Sequence, residues 1–212
     1  MNRTLAIECT TDACSVALFE DDRLLAGDFR LLGRGHAEAL VPMIAALPDK
    51  GRAGRIVVGL GPGSFTGLRI GLTAARALAL AWGSAIVGYP TLALIAAQAR
   101  PLAGHEPVLV ATTGGHGEWF CQPFDAAGQP LRPLASLTPD AAREAPEAHV
   151  AGSQAEALVA ARGFGTAHAL WPDARALPGL PPALLTADLA PIYGRAPDAR
   201  LPGSRQPGEA AP

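Results

Sequence analysis

Hydrophobic and polar positions change period along the chain, and each change predicts an element. Residues 4–9 form a short apolar run broken by Glu8, which reads as a buried strand. Thr10, Thr11 and Asp12 supply turn chemistry. Residues 14–19 then alternate, with Cys14, Val16 and Leu18 set apart from Ser15 and Ala17. Asp21 and Asp22 mark a second turn, and residues 24–29 read as a third strand. Three strands on tight turns predict an antiparallel meander. The period then lengthens: Leu40, Met43, Ile44 and Leu47 fall at i, i+3, i+4 and i+7, a helix face. Pro42 lies inside that helix and is expected to kink it or cost it a hydrogen bond.

Residues 55–60 are a continuous apolar run, hence a buried strand, and residues 61–67 a glycine-rich loop. Residues 68–82 form a long helix that Gly83 should stop at the C′ position. Residues 85–88 read as a strand and residues 91–99 as a helix closed by Pro101. The order β-β-β-α-β-α-β-α predicts a mixed sheet with helices on its faces, an α/β fold. Further on, residues 107–111 and 118–122 read as strands. Residues 153–161 read as a helix with Ser153 as N-cap and Glu156 three residues on.

Proline divides the chain. Only Pro42, Pro48, Pro62 and Pro90 of the 20 prolines lie in residues 1–100, which predicts a regular first half and a loop-rich second half. The expected organisation is an N-terminal lobe at 1–100, a reduced C-terminal lobe at 101–196, and a disordered Pro/Gly tail at 197–212. At 49% hydrophobic and a net charge of −2, the chain is neither disordered nor built to grip nucleic acid over a wide face. Its three cysteines, Cys9, Cys14 and Cys121, contain no C-x-x-C pair and read as buried free thiols in a reducing cytoplasm. Lys50 is the single lysine. Glu8 interrupts any signal-peptide pattern, and no apolar stretch approaches the length of a membrane span.

The loop Gly59-Leu60-Gly61-Pro62-Gly63-Ser64-Phe65-Thr66-Gly67 follows a strand and opens a helix, a place where anions are often held. It nevertheless fails the P-loop, the dinucleotide fingerprint and the nucleophile elbow. A tight turn that caps the helix is the plain alternative. Along the helix, Gly67, Gly71, Ala74, Ala75 and Leu78 make a strip of small side chains. Gly71 costs about 1 kcal/mol relative to Ala, so close packing should offset it, against either this chain's own sheet or a partner helix. The five histidines show no H-x-x-x-H spacing for a metal. His36 either caps or pairs at the start of its helix or is polar surface, the second being the more common case. Glu8 and Asp12 flank the first turn, where they either hold Mg²⁺ through water or simply solvate the turn.

Three segments together resemble the TsaB (YeaZ) family. They are the first hairpin at 5–18, the helix Gly35-His36-Ala37-Glu38-Ala39-Leu40-Val41-Pro42-Met43-Ile44, and Gly61-Pro62-Gly63-Ser64-Phe65-Thr66-Gly67-Leu68-Arg69-Ile70-Gly71. Ala190-Pro191-Ile192-Tyr193-Gly194-Arg195 echoes that family's P-x-Y-L-R. The resemblance implies an actin-like ATPase (ASKHA, ribonuclease H-like) fold with two lobes of mixed sheets, the second reduced. It implies a non-catalytic subunit in the making of threonylcarbamoyladenosine beside the anticodon of tRNAs that read ANN codons. The partner would be TsaD and, through the complex, TsaE, with ATP and metal used by those partners and no cofactor bound here. Docking, or homodimerisation, would use the helices at 36–47 and 67–82, through His36, Leu40, Met43, Ile44, Gly67, Ile70, Gly71, Ala74 and Leu78. Thr10, Thr11, Gly61, Gly63 and Ser64 would form a vestigial nucleotide loop.

The chain departs from the pattern at Glu8-Cys9-Thr10-Thr11, where this fold usually has D-T-S-T. It departs again at 112–119, where only Gly117 and Glu118 keep the register of D-A-R-x-G-E-V-Y. Scattered arginines argue against strong direct tRNA binding. A nucleotide-binding ATPase and a glycoprotease-type metallopeptidase stand as alternatives.

Overall fold

The computed structural model describes residues 3–194; the tail expected at 197–212 lies outside them, as does Arg195. β1 (Arg3–Glu8), β2 (Ala13–Glu20) and β3 (Arg23–Leu31) form the expected antiparallel meander. α1 (His36–Ala46), β4 (Arg55–Gly59), α2 (Phe65–Trp82), β5 (Ala85–Tyr89) and α3 (Thr91–Ala103) follow. The sheet runs β3-β2-β1-β4-β5, with β4 and β5 parallel to β1, so it is mixed. Gly83 ends α2 in the left-handed conformation, as C′ glycines do.

The second half repeats this plan with shorter parts. β6 (Val108–Gly115), β7 (Glu118–Phe124) and β8 (Ala135–Leu137) form a second meander. α4 (Pro139–Ala142), β9 (His149–Ala151), α5 (Ala155–Arg162) and β10 (Thr166–His168) complete the sheet β10-β9-β6-β7-β8. Counted from its own first strand, each sheet therefore has the order 3-2-1-4-5. This twofold plan is the one the actin-like resemblance implies. The second sheet keeps all five strands, and its reduction lies in three-residue strands and the four-residue α4.

α3 lies between the two sheets and joins their cores. Its Leu92, Ile95 and Ala99 share one cluster with Val57 and Tyr89 from the first sheet and with Val110, Phe120 and Phe124 from the second. The chain then returns to the first lobe. Ser15 Oγ accepts from Ala174 N–H at 2.9 Å and donates to the Pro172 carbonyl at 3.3 Å. That return covers the second face of β2. Ser15 and Ala17 are therefore buried along with Cys14, Val16 and Leu18, and the expected polar side of this strand does not exist.

Two local expectations are corrected. Pro101 does not close α3, which runs on to Ala103 because Ala99 and Ala103 are both buried beneath it. Pro42, by contrast, costs α1 a backbone hydrogen bond as expected; it sits on the exposed side, and the helix continues past it for four residues. Ser153 does not cap α5. Gln154 stands at that position, and Ser153 Oγ instead accepts from Thr113 N–H at 3.2 Å.

Within the small-residue strip on α2, Gly67 and Gly71 pack against the chain's own first strand and turn, while Ala74 and Leu78 stay half-buried. A Cβ on Gly67 would overlap the carbonyl oxygen of Cys9, and one on Gly71 would stand 3.4 Å from Cys9 Cβ. The two glycines thus differ in what they tolerate. Gly67→Ala should destabilise the protein by about 3 kcal/mol, because the obstacle is backbone. Gly71→Ala should be neutral or gain up to about 1 kcal/mol from helix propensity. Urea unfolding of both variants checks this; equal stabilities would contradict the packing described.

Candidate functional site

The turn between β1 and β2 is held from below by a buried polar cluster. Glu8 is fully buried. Its Oε1 accepts from Thr10 N–H at 2.7 Å, and its Oε2 accepts from Tyr89 Oη and Thr91 Oγ1, both at 3.1 Å. Thr91 Oγ1 accepts in turn from Thr10 Oγ1 at 2.9 Å and from Gly61 N–H at 3.2 Å. Glu8 therefore does not stand at the mouth of the turn to hold Mg²⁺ through water: its carboxylate points into the protein, where it accepts from the turn amide of Thr10 and from the hydroxyls of Tyr89 and Thr91. Asp12 alone of that pair reaches solvent.

Burial pushes the Glu8 carboxyl above its ordinary value of 4.5, and the bonds from Thr10, Thr91 and Tyr89 offset this in part. The cluster accommodates the proton. Tyr89 Oη also lies 3.3 Å from the Ile7 carbonyl, so its hydroxyl hydrogen turns there when Glu8 is protonated and donates.

The glycine loop rests on this turn. Ser64 N–H donates to the Thr10 carbonyl, and a Cβ on Gly63 would overlap that same oxygen. Gly61 has φ +92° and lies against the Ile192 carbonyl. Ser64 caps α2 by accepting from Gly67 N–H at 3.3 Å. The amides of Gly61, Ser64 and Gly67 are thus engaged within the chain, and the loop is a clasp between turn, helix and C-terminal segment. At its edge Phe65 meets Tyr193 with ring centroids 5.4 Å apart, and the Arg69 guanidinium lies 3.6 Å from the Phe65 centroid.

Between the lobes is a cleft of about 280 Å³. Thr10, Thr11, Asp12, Gly63 and Ser64 line one wall, and residues 112–115, Ser153 and Trp171 the other. Thr10, Thr11, Gly63 and Ser64 are therefore brought together as the vestigial loop was expected to be, while Gly61 lies buried behind them. Among the described residues no lysine or arginine lines the cleft, and its ionisable side chain is Asp12. Asp12 is thus the charged group this lining presents, and the amides of Ser64 and Gly67 at its edge are engaged within the chain. Among the described residues no three His, Cys, Asp or Glu side chains stand close enough to share a metal. Trp171, which no sequence pattern singled out, closes the cleft with a buried indole N–H that meets no acceptor.

The residues expected at a partner interface separate into two groups. His36, Leu40, Met43, Ile44, Gly67 and Gly71 are buried within the lobe. His36 is not surface: its Nε2 lies 2.8 Å from the Thr11 carbonyl and 3.3 Å from that of Ala13. That nitrogen therefore carries the proton and ties α1 to the first turn. Ile70, Ala74 and Leu78 remain half-buried, in a row every four residues along α2.

The comparisons with known proteins converge. Residues 30–171 match the family of TsaD, tRNA N6-adenosine threonylcarbamoyltransferase. The chain belongs to this family, on its TsaB (YeaZ) side. It is 39% identical over 123 residues to the tRNA threonylcarbamoyladenosine biosynthesis protein TsaB of Escherichia coli, a match over 56% of this chain and 53% of that protein. The matched region thus spans about half the length of that relative. An uncharacterized protein of Mycobacterium tuberculosis is 30% identical over 94% of this chain and 95% of its own length. The structure of YeaZ from Pseudomonas aeruginosa superposes with a TM-score of 0.74 at 27% identity, covering 91% of this chain and all of that one.

The buried carboxyl gives a pH dependence with a definite sign. The folded state holds the Glu8 proton to higher pH than the unfolded state, so stability falls as pH rises from about 4.5 through the raised folded value. Glu8→Gln cannot titrate, and it leaves one of the three donors unpaired. The variant should be less stable than the parent at pH 4, with a deficit that shrinks toward pH 8. Urea unfolding across that range tests this; a deficit that grows with pH would contradict it.

Proposed function

We propose that this chain is a non-catalytic, scaffolding subunit of the complex that adds the threonylcarbamoyl group to the adenosine next to the anticodon of tRNAs reading ANN codons. Family membership supports the pathway. The observation that carries the non-catalytic reading is the cleft between the lobes, which pairs an acidic side chain with hydroxyls and glycines and, among the described residues, offers no cation to a phosphate. In this reading the chain works in the cytoplasm with TsaD, and through the complex with TsaE. Those partners supply ATP and metal, and this subunit binds neither. The tRNA is then held by the assembly, since the net charge of −2 gives this subunit little counterion release of its own.

The docking surface in this reading is the outer side of α1 and α2. Among the described residues no helix is long and apolar enough to cross a membrane, yet α1 and α2 leave Val41 62% and Leu80 88% exposed. Beside the buried stripe of α2 runs the half-buried row of Ile70, Ala74 and Leu78. Its small and apolar side chains suit helix-against-helix contact with TsaD or with a second copy of this chain. Gly71, buried on the sheet, takes no part in such contact.

Ala74→Arg and Leu78→Arg each place a charge on that row. Each should weaken binding of the TsaD from the same organism at least tenfold while leaving the melting temperature of the isolated subunit unchanged. Size exclusion with light scattering, alone and with TsaD, reads both complex formation and self-association. Unchanged complexes in both variants would sink the reading.

A further inference from the structure

Cys9 and Cys14 lie five residues apart in sequence, a spacing that matches no redox or metal motif, and the hairpin folds them together. The pairing Glu8↔Ser15 makes them the next facing pair, at the mouth of the β1–β2 turn. Their sulfurs are 3.5 Å apart, and both side chains are almost wholly buried. The proposed scaffold role uses neither thiol. Two further contacts join the pair to functional parts of the lobe. Above, Cys9 is the residue on which Gly67 and Gly71 of α2 rest. Beside it, the enclosed turn residues Thr10, Thr11 and Asp12 line the cleft.

We propose that Cys9 and Cys14 are a redox-modification site, converted by hydrogen peroxide into an intramolecular disulfide that closes the first turn. The cleft brings the oxidant to the turn, and opening of residues 10–12 admits it to the sulfurs. The Cys14 thiolate attacks one peroxide oxygen. The O–O bond breaks, a sulfenic acid forms on Cys14, and the leaving hydroxide takes up the thiol proton as water. The Cys9 sulfur then attacks the Cys14 sulfur. The S–S bond forms, the S–O bond breaks, and the hydroxyl leaves with the Cys9 proton as a second water. Two thiols lose two electrons in total, and the peroxide is reduced to two waters. The order of attack follows the local electrostatics. The bond with Cys14, followed by burial, pushes Cys9 well up, whereas the bond with Cys9 holds Cys14 down.

The chain carries its own assay. No lysine or arginine separates Arg3 from Arg23, so trypsin releases both cysteines in the single peptide 4–23. Cys121, buried in the other sheet, serves as an internal control whose thiol burial pushes up to about 12. The folded protein is treated with a small excess of hydrogen peroxide, quenched, denatured, alkylated and digested. The expected peptide 4–23 is unalkylated and two hydrogens lighter, reverts with dithiothreitol, and is accompanied by an alkylatable Cys121. Cys14→Ala and, separately, Cys9→Ala should each abolish that product. Peptide 4–23 carrying two alkyl groups after peroxide would overturn the proposal. So would oxidation that stops at sulfinic acid or that links two chains.

Discussion

The first lobe depends on one close backbone approach, that of the β1–β2 turn to the glycine loop and the start of α2. The carbonyls of Cys9 and Thr10 stand where side chains at Gly67 and Gly63 would otherwise be. Ser64 N–H closes the contact from the other side. Such proximity leaves no room for solvent, so the polar groups beneath must satisfy one another. Glu8, Thr10, Tyr89 and Thr91 do so across β1, β5 and the start of α3, and His36 adds a tie to α1. One turn thereby sets the positions of three helices and the central strand.

This arrangement also explains why a glycine-rich strand-to-helix loop need not signal a phosphate. A loop that cradles an anion leaves several amides pointing at it. Here the amides of Gly61, Ser64 and Gly67 answer to oxygens of the same chain. The hydroxyl that caps the helix, Ser64 Oγ, is engaged as well. The cleft that remains is lined, among the described residues, by hydroxyls, glycines and Asp12. The twofold 3-2-1-4-5 plan is retained, with the Glu8 carboxylate turned inward beneath the first turn. α3, shared by both cores, ties the two sheets together.

Much of this was legible in the sequence wherever period and punctuation agree. The meander, β4, the long α2 and its Gly83 terminus all come from local pattern, and the family signature lies in the same residues. The failures share one cause: each depends on a segment distant in sequence. Ser15 is buried because residues 172–174 return over β2. His36 is buried because two carbonyls of the first turn face it. Glu8 reads as a turn carboxylate until Tyr89 and Thr91, more than 80 positions away, are seen to donate to it. Pro101 reads as a stop until the burial of Ala103 is known. The proline count located the irregular half, and it concealed that the sheet there still has five strands.

The proposed non-catalytic role requires that the cleft hold no working nucleotide site. Isothermal titration of the isolated protein with ATP and Mg²⁺ decides this. No saturable heat is expected up to millimolar nucleotide. A saturating isotherm at roughly one nucleotide per chain, lost when Gly63→Ala or Thr11→Val alters the cleft wall, would contradict it.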